Sequence, residues 1–231
     1  MVKKHASANT PLILGGNSPQ TFSDGLALPK VLIFDLDYTL WPFWCDTHVT
    51  PPLKPASTKD GSSAVTDKYG ETFAFYKDVP RVLQDARSKG MKIAAASRTH
   101  APPVAKDLLK LLRIPSPKQT SPPANGTGET EGSRALELFD NLQIYPGSKT
   151  THLTKISTQC SIPYDQMLFF DDETRNKNVE RDLPGVVFIL VPDGVTSHAV
   201  DRGVREWRKR RGLTNKEGAQ DNIEGESNEN P

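Results

Sequence analysis

Two short apolar runs, each leading directly into aspartates, constrain the fold of this chain more than any other feature of its sequence. The run over 31–34 (Val-Leu-Ile-Phe) precedes Asp35, and the run over 167–170 (Met-Leu-Phe-Phe) precedes Asp171 and Asp172. Four apolar residues without polar alternation are typical of a strand that is buried on both faces, as in a parallel sheet. The sequence therefore predicts a parallel sheet whose strands end in acidic side chains.

The remaining segments predict helices that alternate with further strands. Continuous apolar runs and helical apolar spacing indicate strands over 31–34, 91–96, 142–145, 167–170 and 185–191, and helices over 79–89, 102–112, 149–159, 173–182 and 196–211. In the helix over 102–112 we expect a buried stripe of Val104, Leu108, Leu111 and Leu112. Strands that alternate with helices of this size imply right-handed crossovers, and so a doubly wound α/β fold with a parallel sheet between helices.

Length and composition limit the classes of protein that this chain can belong to. The 231 residues fit one domain with appendages, and a net charge of +1 gives no sign of a nucleic-acid or anionic membrane partner. No stretch approaches the ~18 apolar residues of a membrane span, and the first residues hold no apolar run of signal-peptide length. Cys45 and Cys160 are too few for a disulfide framework. We therefore expect a cytoplasmic monomer.

Polar residues are concentrated outside a compact core. We predict a loose N-terminal segment over 1–28, a single domain over 29–211 with a flexible insertion at 115–133, and a disordered acidic tail over 212–231. The insertion is rich in Pro, Gly, Ser and Thr, so it cannot bury enough apolar area to offset the entropy of ordering it. A basic run over 200–211 is compatible with a nuclear location as well, but we interpret it as a solvated helix end.

The strand ends carry the residues from which a function can be inferred. In a doubly wound fold, ligands bind at the carboxyl ends of the strands. The polar residues there are Asp35, Asp37, Ser97, Arg98, Lys149, Asp171 and Asp172. Converging carboxylates repel one another unless a cation lies between them, and all-oxygen ligands favour Mg²⁺ over Zn²⁺. Hydroxyl, guanidinium and ammonium donors surround phosphates. This combination predicts phosphoryl transfer through an aspartyl-phosphate.

The spacing of Asp35 and Asp37 has a consequence of its own. If the first strand continues through Asp35, both side chains face the same side of the sheet. Asp35 can then attack phosphorus, while Asp37, further out, can protonate the leaving oxygen and later deprotonate the attacking water. Backbone amides of the following turn, that of Leu36 included, can hold phosphate oxygens.

Four stretches of the chain resemble the motifs of haloacid dehalogenase (HAD) superfamily phosphatases. They are F-D-L-D-Y-T-L-W-P-F-W-C-D-T-H-V over 34–49, A-A-S-R-T over 95–99, I-Y-P-G-S-K-T-T-H over 144–152 and F-F-D-D-E-T-R-N over 169–176. Together they are similar to the eukaryotic magnesium-dependent phosphatase family. The resemblance covers about residues 30–113 and 134–211, and it implies a HAD-like, Rossmann-type fold with a minimal cap or none.

The resemblance also implies a role for each matching residue. Asp35 would be the nucleophile and Asp37 the general acid/base. Mg²⁺ would be bound by Asp35, the Asp37 backbone carbonyl and a carboxylate of the Asp171–Asp172 pair, of which we favour Asp171 because it directly ends its strand. The phosphoryl oxygens would be held by Ser97, Arg98 and Lys149, and the substrate entrance would be lined by Trp44. The implied substrates are phosphotyrosine proteins or small sugar phosphates.

Two other functions stay open at the level of the sequence. One is a non-catalytic phosphate-binding scaffold on the same fold, and the other is a phosphotransferase that passes the phosphoryl group to an alcohol. Residues 51–72 are too polar and too short for a folded cap domain, so we expect at most a flap and an open site. We expect Trp41 and Phe43 to be packing residues, and we assign no catalytic role to the thiol of Cys45.

Overall fold

The computed structural model describes residues 15–58, 62–115 and 132–213. In chain order its strands are β1 Val31–Phe34, β2 Lys54–Ser57, β3 Ser63–Thr66, β4 Thr72–Phe73, β5 Lys92–Ser97, β6 Arg113–Ile114, β7 Ser133–Arg134, β8 Asn141–Ile144, β9 Met167–Asp171 and β10 Val187–Leu190. The α-helices are α1 Cys45–His48, α2 Val79–Ser88, α3 Pro102–Leu111, α4 Lys149–Cys160, α5 Val179–Asp182 and α6 Ser197–Lys209. Among the described residues, no helix is long and apolar enough to cross a membrane.

Five of these strands form the central sheet, in the order β10-β9-β1-β5-β8 and with every neighbouring pair parallel. Every side chain of β1 is fully buried, as its unbroken apolar run predicts. Leu32 and Phe34 pack with α2, α3 and α6 on one face of the sheet, and Val31 and Ile33 pack with α4 and α5 on the other. The predicted doubly wound parallel α/β fold is confirmed.

The buried face of α3 differs from the predicted stripe. Ala105, Leu108 and Leu109 are fully buried, whereas Val104 and Leu111 are half-buried, so the predicted phase of the helix is wrong. Leu112 is buried, but it has left the helix and adopts an extended conformation (φ −66°, ψ 134°). The prediction placed Val104 and Leu111 on the buried stripe, whereas Ala105 and Leu109, which share a helical face with Leu108, occupy it.

The predicted helix over 173–182 is divided into two short pieces. Residues Thr174–Asn178 form a 3₁₀ helix, and only Val179–Asp182 is α-helical. Thr and Asn have low helix propensity, and the side chain of Asn176 is held by the Asp171 carboxylate at 2.9 and 3.0 Å. The need to reach Asp171 therefore explains why this segment departs from a regular helix.

Residues 17–28 pack on α6, where the sequence predicts a loose segment. The backbone amides of Gln20 and Thr21 donate to the Asp201 carboxylate at 3.1 and 2.7 Å. The buried guanidinium of Arg208 donates to Asp24 at 2.6 Å and to backbone carbonyls, including that of Ala27 at 2.8 Å. We call residues 17–28 with Asp201 and Arg208 the N-terminal clasp. These contacts hold residues 17–28 against the domain, whereas residues 1–14 of the predicted loose segment lie outside the described residues.

The basic run at the end of α6 is engaged with the rest of the domain. Besides Arg208, Arg202 donates to the Leu190 carbonyl at 2.6 Å and Arg210 pairs with Glu180 at 2.8 Å. These arginines bind the domain's own carbonyls and carboxylates. The interpretation as a helix end holds, but Arg208 is buried rather than solvated.

Two small sheets lie outside the central one. Strands β2, β3 and β4 form a three-stranded antiparallel sheet within residues 54–73, which we call the flap. Strand β6 pairs antiparallel with β7 and so joins the two ends of the predicted insertion at 115–133. Residues 116–131 of that insertion and residues 214–231 of the predicted acidic tail lie outside the described residues.

Candidate active site

The strand order brings the predicted site residues to one edge of the sheet. Asp35 follows β1, Ser97 ends β5 and Asp171 ends β9, and these three strands are neighbours. The amide of Asp35 continues the sheet by donating to the Phe170 carbonyl at 2.9 Å. Lys149 begins α4, directly after the turn that follows β8.

A cluster of three carboxylates forms the floor of the site. Asp35, Asp171 and Asp172 each place an oxygen within 4.8 Å of the others. The buried ammonium of Lys149 lies 2.9 Å from Asp35 Oδ1 and 3.0 Å from Asp171 Oδ2, and it also donates to the Ala96 carbonyl. One lysine therefore faces three carboxylates, and the cluster keeps a net negative charge when all of them are ionised.

The pKa values of the cluster reflect this excess of negative charge. Burial raises the pKa of Asp35, with a further contribution from Asp171, although Lys149 opposes the shift. Burial and the Asp171 charge raise the pKa of Asp172 to about 6. Burial alone would lower the pKa of Lys149, but the two neighbouring carboxylates raise it instead. Hence the cluster favours additional positive charge, and its hard oxygen donors fit Mg²⁺.

The two members of the Asp171–Asp172 pair have different surroundings. Asp171 is fully buried, and both of its oxygens accept hydrogen bonds from Asn176; Oδ1 also accepts from the Glu173 amide at 2.8 Å. Asp172 is half-buried, and its contact is with the Thr39 hydroxyl, which donates at 3.4 Å. Within the described residues Asp172 accepts only this long hydrogen bond, on Oδ1, so its carboxylate is more open to a ligand than that of Asp171, both of whose oxygens accept shorter ones.

Asp37 lies outside the cluster and is held by the loop that follows β1. Its Oδ1 accepts hydrogen bonds from Trp41 Nε1 at 2.7 Å and from the Cys45 amide at 3.2 Å. Burial raises its pKa, and these hydrogen bonds oppose the shift. Strand β1 ends at Phe34, so the predicted alternation does not extend through Asp35. The two aspartates still line one cleft, because the chain turns there and the Leu36 carbonyl accepts from the amide of Leu40 at 2.8 Å.

The predicted phosphate-binding residues surround the same edge. Ser97 is buried, and its hydroxyl accepts from the Thr99 amide at 3.3 Å. Arg98 is half-buried, with no ion pair to any residue in the described ranges. The Leu36 amide donates to Asp35 Oδ1 at 2.8 Å. The three N–H donors of Lys149 are all taken by protein oxygens, so binding a phosphoryl oxygen there requires exchange of one of them.

These groups line a cleft of about 200 Å³ whose walls come from the loops after β1, β5 and β9. Trp44 stands at the cleft with 52% of its surface exposed and packs edge-on against Tyr38. The described residues that line the cleft are Asp35, Asp37, Trp44, Asp46, Ser97, Arg98, Thr99, His100, Asp172, Glu173 and Arg175. No described residue of the flap is among them, so the part of the flap that the structure describes does not cover the cleft.

Sequence reasoning missed several residues that hold the site together. Asn176 binds both oxygens of Asp171, and Trp41, interpreted from the sequence as packing alone, also binds Asp37. The Cys45 thiol contacts Asp37 Oδ2 at 3.6 Å and Thr99 Oγ1 at 3.2 Å. Burial and the Asp37 charge raise the thiol pKa, which agrees with the absence of a nucleophilic role for it. Asn176, Trp41 and Cys45 stand inside the quoted motifs, which was the signal available in the sequence.

Fold, site and sequence together place the chain in a known class. Residues 27–210 match the acid phosphatase family, and the chain belongs to that family. It is 42% identical over 164 residues to a HAD-like hydrolase superfamily protein of Schizosaccharomyces pombe, an alignment that covers 71% of this chain and 86% of the relative. It is 38% identical over 182 residues to magnesium-dependent phosphatase 1 of Homo sapiens, an alignment that covers 79% of this chain and 89% of the relative. The resemblance seen in the four motifs is thereby confirmed.

Proposed function

We propose that the protein is a Mg²⁺-dependent phosphomonoesterase that acts through an aspartyl-phosphate on Asp35. The observation that carries the proposal is the cluster of Asp35, Asp171 and Asp172 around Lys149, at the edge of the sheet where this fold binds ligands. The similarity to a magnesium-dependent phosphatase over 79% of the chain supports both the metal and the reaction class.

The residues that would hold Mg²⁺ are Asp35, the Asp37 backbone carbonyl and Asp172. We now prefer Asp172 to Asp171 as the direct ligand, because the oxygens of Asp171 are occupied by Asn176, Lys149 and the Glu173 amide. When bound, the metal would neutralise the carboxylates and polarise a phosphoryl oxygen.

Asp35 is oriented for attack on phosphorus. Its Oδ1 accepts from the Leu36 amide and from Lys149, so Oδ2 is the oxygen that we propose forms the bond to phosphorus. The bond from phosphorus to the leaving oxygen breaks as Asp37 donates its proton to that oxygen. Ser97, Arg98 and Lys149 hold the phosphoryl oxygens during the transfer.

Hydrolysis of the intermediate uses the same two aspartates. Asp37, now a carboxylate, accepts a proton from water as the water oxygen attacks phosphorus. The bond between phosphorus and Asp35 breaks, which releases inorganic phosphate and restores the Asp35 carboxylate. Asp37 ends protonated, ready for the next turnover.

The test is release of inorganic phosphate from p-nitrophenyl phosphate. We expect activity with Mg²⁺, loss of activity with EDTA, and a loss of at least about 10³-fold for Asp35→Asn, since the nucleophile is removed. Asp85→Asn, a half-buried residue of α2 that does not line the cleft, is the matched control and should keep full activity. Turnover that survives EDTA or Asp35→Asn contradicts the proposal.

The same assay separates the two other functions. A scaffold would bind a phosphate analogue in a Mg²⁺-dependent way without turnover. A phosphotransferase would convert an added alcohol into a new phosphate ester, which product analysis would detect. The free oxygen of Asp35 and the proton carrier Asp37, both in the cleft, favour hydrolysis over the scaffold.

For the substrate class we propose phosphotyrosine proteins or small sugar phosphates. The cleft holds about 200 Å³, enough for a phosphate and a ring, and its mouth is free of described flap residues. The exposed indole of Trp44 offers a flat apolar surface for an aromatic or sugar ring. Comparison of kcat/KM for phosphotyrosine peptides and sugar phosphates, with wild type and Trp44→Ala, would rank the two classes.

The proposal also includes a monomeric protein of the cytoplasm, with a nuclear location left open. Cys45 and Cys160 are both buried and free, which supports a reducing compartment. Light scattering of the purified protein and fluorescence localisation of a tagged chain would test these two points.

A further inference from the structure

We propose that Trp41 is a positioning residue for Asp37: its indole N–H fixes Oδ1 and so reserves Oδ2 for proton transfer. This inference rests on the proposed function, in which Asp37 is the general acid and base. It concerns a residue that the sequence indicated as packing only.

The orientation of the Trp41 ring is fixed by its neighbours. Trp41 is fully buried, its ring is stacked on Phe43 with centroids 5.4 Å apart and planes 5° apart, and Phe75 lies 6.0 Å away at 28°. Its amide also donates to the Leu36 carbonyl at 3.4 Å, which closes the turn that carries Asp37. The indole N–H therefore points at one place, and that place is Asp37 Oδ1 at 2.7 Å.

The two oxygens of Asp37 are held very differently. Oδ1 accepts two N–H hydrogen bonds, from Trp41 and from the Cys45 amide. Among the described residues, the one donor to Oδ2 is the weak donor of the Cys45 thiol at 3.6 Å, and that sulfur also contacts Thr99 Oγ1 at 3.2 Å. Because Oδ1 already accepts two N–H hydrogen bonds, Oδ2 is the oxygen left available for proton transfer.

This asymmetry matters for the chemistry of the cleft. In the first step the proton leaves Oδ2 for the leaving oxygen as the bond from phosphorus to that oxygen breaks. In the second step Oδ2 takes a proton from the attacking water. A carboxyl group that could turn about its χ2 axis would present the wrong oxygen part of the time, and proton transfer depends steeply on such alignment.

The test is the dependence of kcat/KM on leaving-group basicity across substituted phenyl phosphates, which differ little in shape. For Trp41→Phe, which keeps an aromatic ring, we expect kcat/KM to fall about tenfold for phenyl phosphate and less than about twofold for p-nitrophenyl phosphate. Good leaving groups need little protonation, so they should be insensitive to the position of the acid. KM should change by less than about twofold, because Trp41 does not touch the substrate.

The matched control is Phe75→Leu, which disturbs the same ring stack but keeps the indole N–H. It should show the leaving-group dependence of wild type. If Trp41→Phe does not fold, replacement of Trp41 by benzothienylalanine removes the N–H while keeping the bicyclic shape, and the same dependence is expected.

A double variant distinguishes positioning from general stabilisation. Asp37→Asn should show a steep leaving-group dependence, with a loss of about 10²-fold or more for phenyl phosphate. Adding Trp41→Phe to it should cost less than about twofold more, because the group to be positioned is gone. A further tenfold loss, or an equal loss for every leaving group, would assign Trp41 a structural role and overturn the inference.

Failure of the inference is distinct from failure of the proposed function. If Asp37→Asn is steep but the Trp41 variants behave as wild type, the inference is wrong and the phosphatase proposal stands. If Asp37→Asn has the wild-type dependence, or no phosphate is released by the wild type, the role of Asp37 fails and this inference falls with it.

Discussion

At the scale of single residues, the first turn of α4 delivers both the cation of the site and an unusual histidine. Ser148 caps the helix by accepting from the Thr151 amide at 3.0 Å, which places Lys149 in the first turn with its side chain among the carboxylates. His152, one turn further, is fully buried against Tyr145, with ring centroids 4.4 Å apart. Among the described residues neither ring nitrogen has a partner at ordinary hydrogen-bond geometry, although the Tyr145 backbone lies near the ring.

This histidine should make the protein sensitive to acid. Burial, with the nearby Lys149 charge, lowers the pKa of His152 to about 4. The unfolded chain takes up a proton near the ordinary value of about 6.5 while the folded chain resists it, so stability is full above that pH and falls as pH drops toward 4. We compare the free energies of unfolding of His152→Leu and wild type in urea at two pH values. Between about pH 7.5 and about pH 4.5, the difference should shift by about 2–3 kcal/mol in favour of the variant.

The control for the histidine is His198→Leu, on the exposed side of α6. The free energy of unfolding of this variant should differ from that of wild type by nearly the same amount at both pH values. If the difference in unfolding free energy between His152→Leu and wild type is also the same at both pH values, protonation of the buried ring does not destabilise the fold, and the prediction is wrong.

The site residues divide according to what places them. Asp35, Ser97 and Asp171 could be predicted because each follows directly from the end of a buried strand, a local feature. The partners of those residues could not be predicted from strand ends. The hydrogen bond from Asn176 to Asp171 lies within a segment for which the sequence predicts a helix. The contact of Cys45 with Thr99 joins the start of α1 to the loop after β5, 54 residues away.

At the scale of elements, the N-terminal clasp ties a polar segment to the last helix. The Arg208 side chain is 3% exposed and donates to Asp24 at 2.6 and 3.0 Å, and to the carbonyls of Thr21 and Ala27 at 3.0 and 2.8 Å. The segment has little apolar periodicity, so nothing local predicts that it is ordered. Its order comes from side chains about 180 residues away along the chain.

Removal of the Arg208 guanidinium should destabilise the N-terminal clasp without changing the phosphatase activity. Arg208→Met leaves the buried carbonyls without donors, so we expect a loss of about 3 kcal/mol in the free energy of unfolding. The kcat for p-nitrophenyl phosphate should stay within about twofold of wild type, because no clasp residue lines the cleft. Thermal unfolding and the phosphate assay measure the two effects.

The control for the clasp is Arg202→Met. Arg202 is exposed on the same helix and, within the part of the chain that the structure describes, makes one hydrogen bond, to the Leu190 carbonyl at 2.6 Å. Its loss should cost less than about 1 kcal/mol. Equal losses for the two variants would show that the clasp adds nothing beyond an ordinary surface contact.

At the scale of the whole molecule, the order of the strands in the central sheet determines which site residues become neighbours. The alternation of strands and helices predicts a parallel sheet, but only tertiary pairing places β1 between β9 and β5 and so brings Asp35 beside Asp171 and Ser97. The flap strands are short and largely polar, and β2 is mostly exposed, so no apolar pattern in the sequence marks them. The sequence thus predicts the layers, and pairing between distant segments supplies the arrangement.

The charge of the assembled site should govern the stability of the whole domain when the metal is removed. Burial, with the neighbouring charge of Asp171, raises the pKa values of Asp35 and Asp172 in the folded, metal-free protein. The folded state therefore binds more protons than the unfolded state between about pH 4 and pH 7, and this contribution to stability is lost as pH rises through that window.

Mg²⁺ replaces those protons, so its addition should raise the melting temperature more at about pH 7.5 than at about pH 5. In EDTA, Asp172→Asn should melt higher than wild type at about pH 7.5, with a margin that shrinks as the pH falls toward about 4, and it should gain less from Mg²⁺. The same Mg²⁺ gain at both pH values, or a full gain for Asp172→Asn, would contradict a metal site built on these carboxylates.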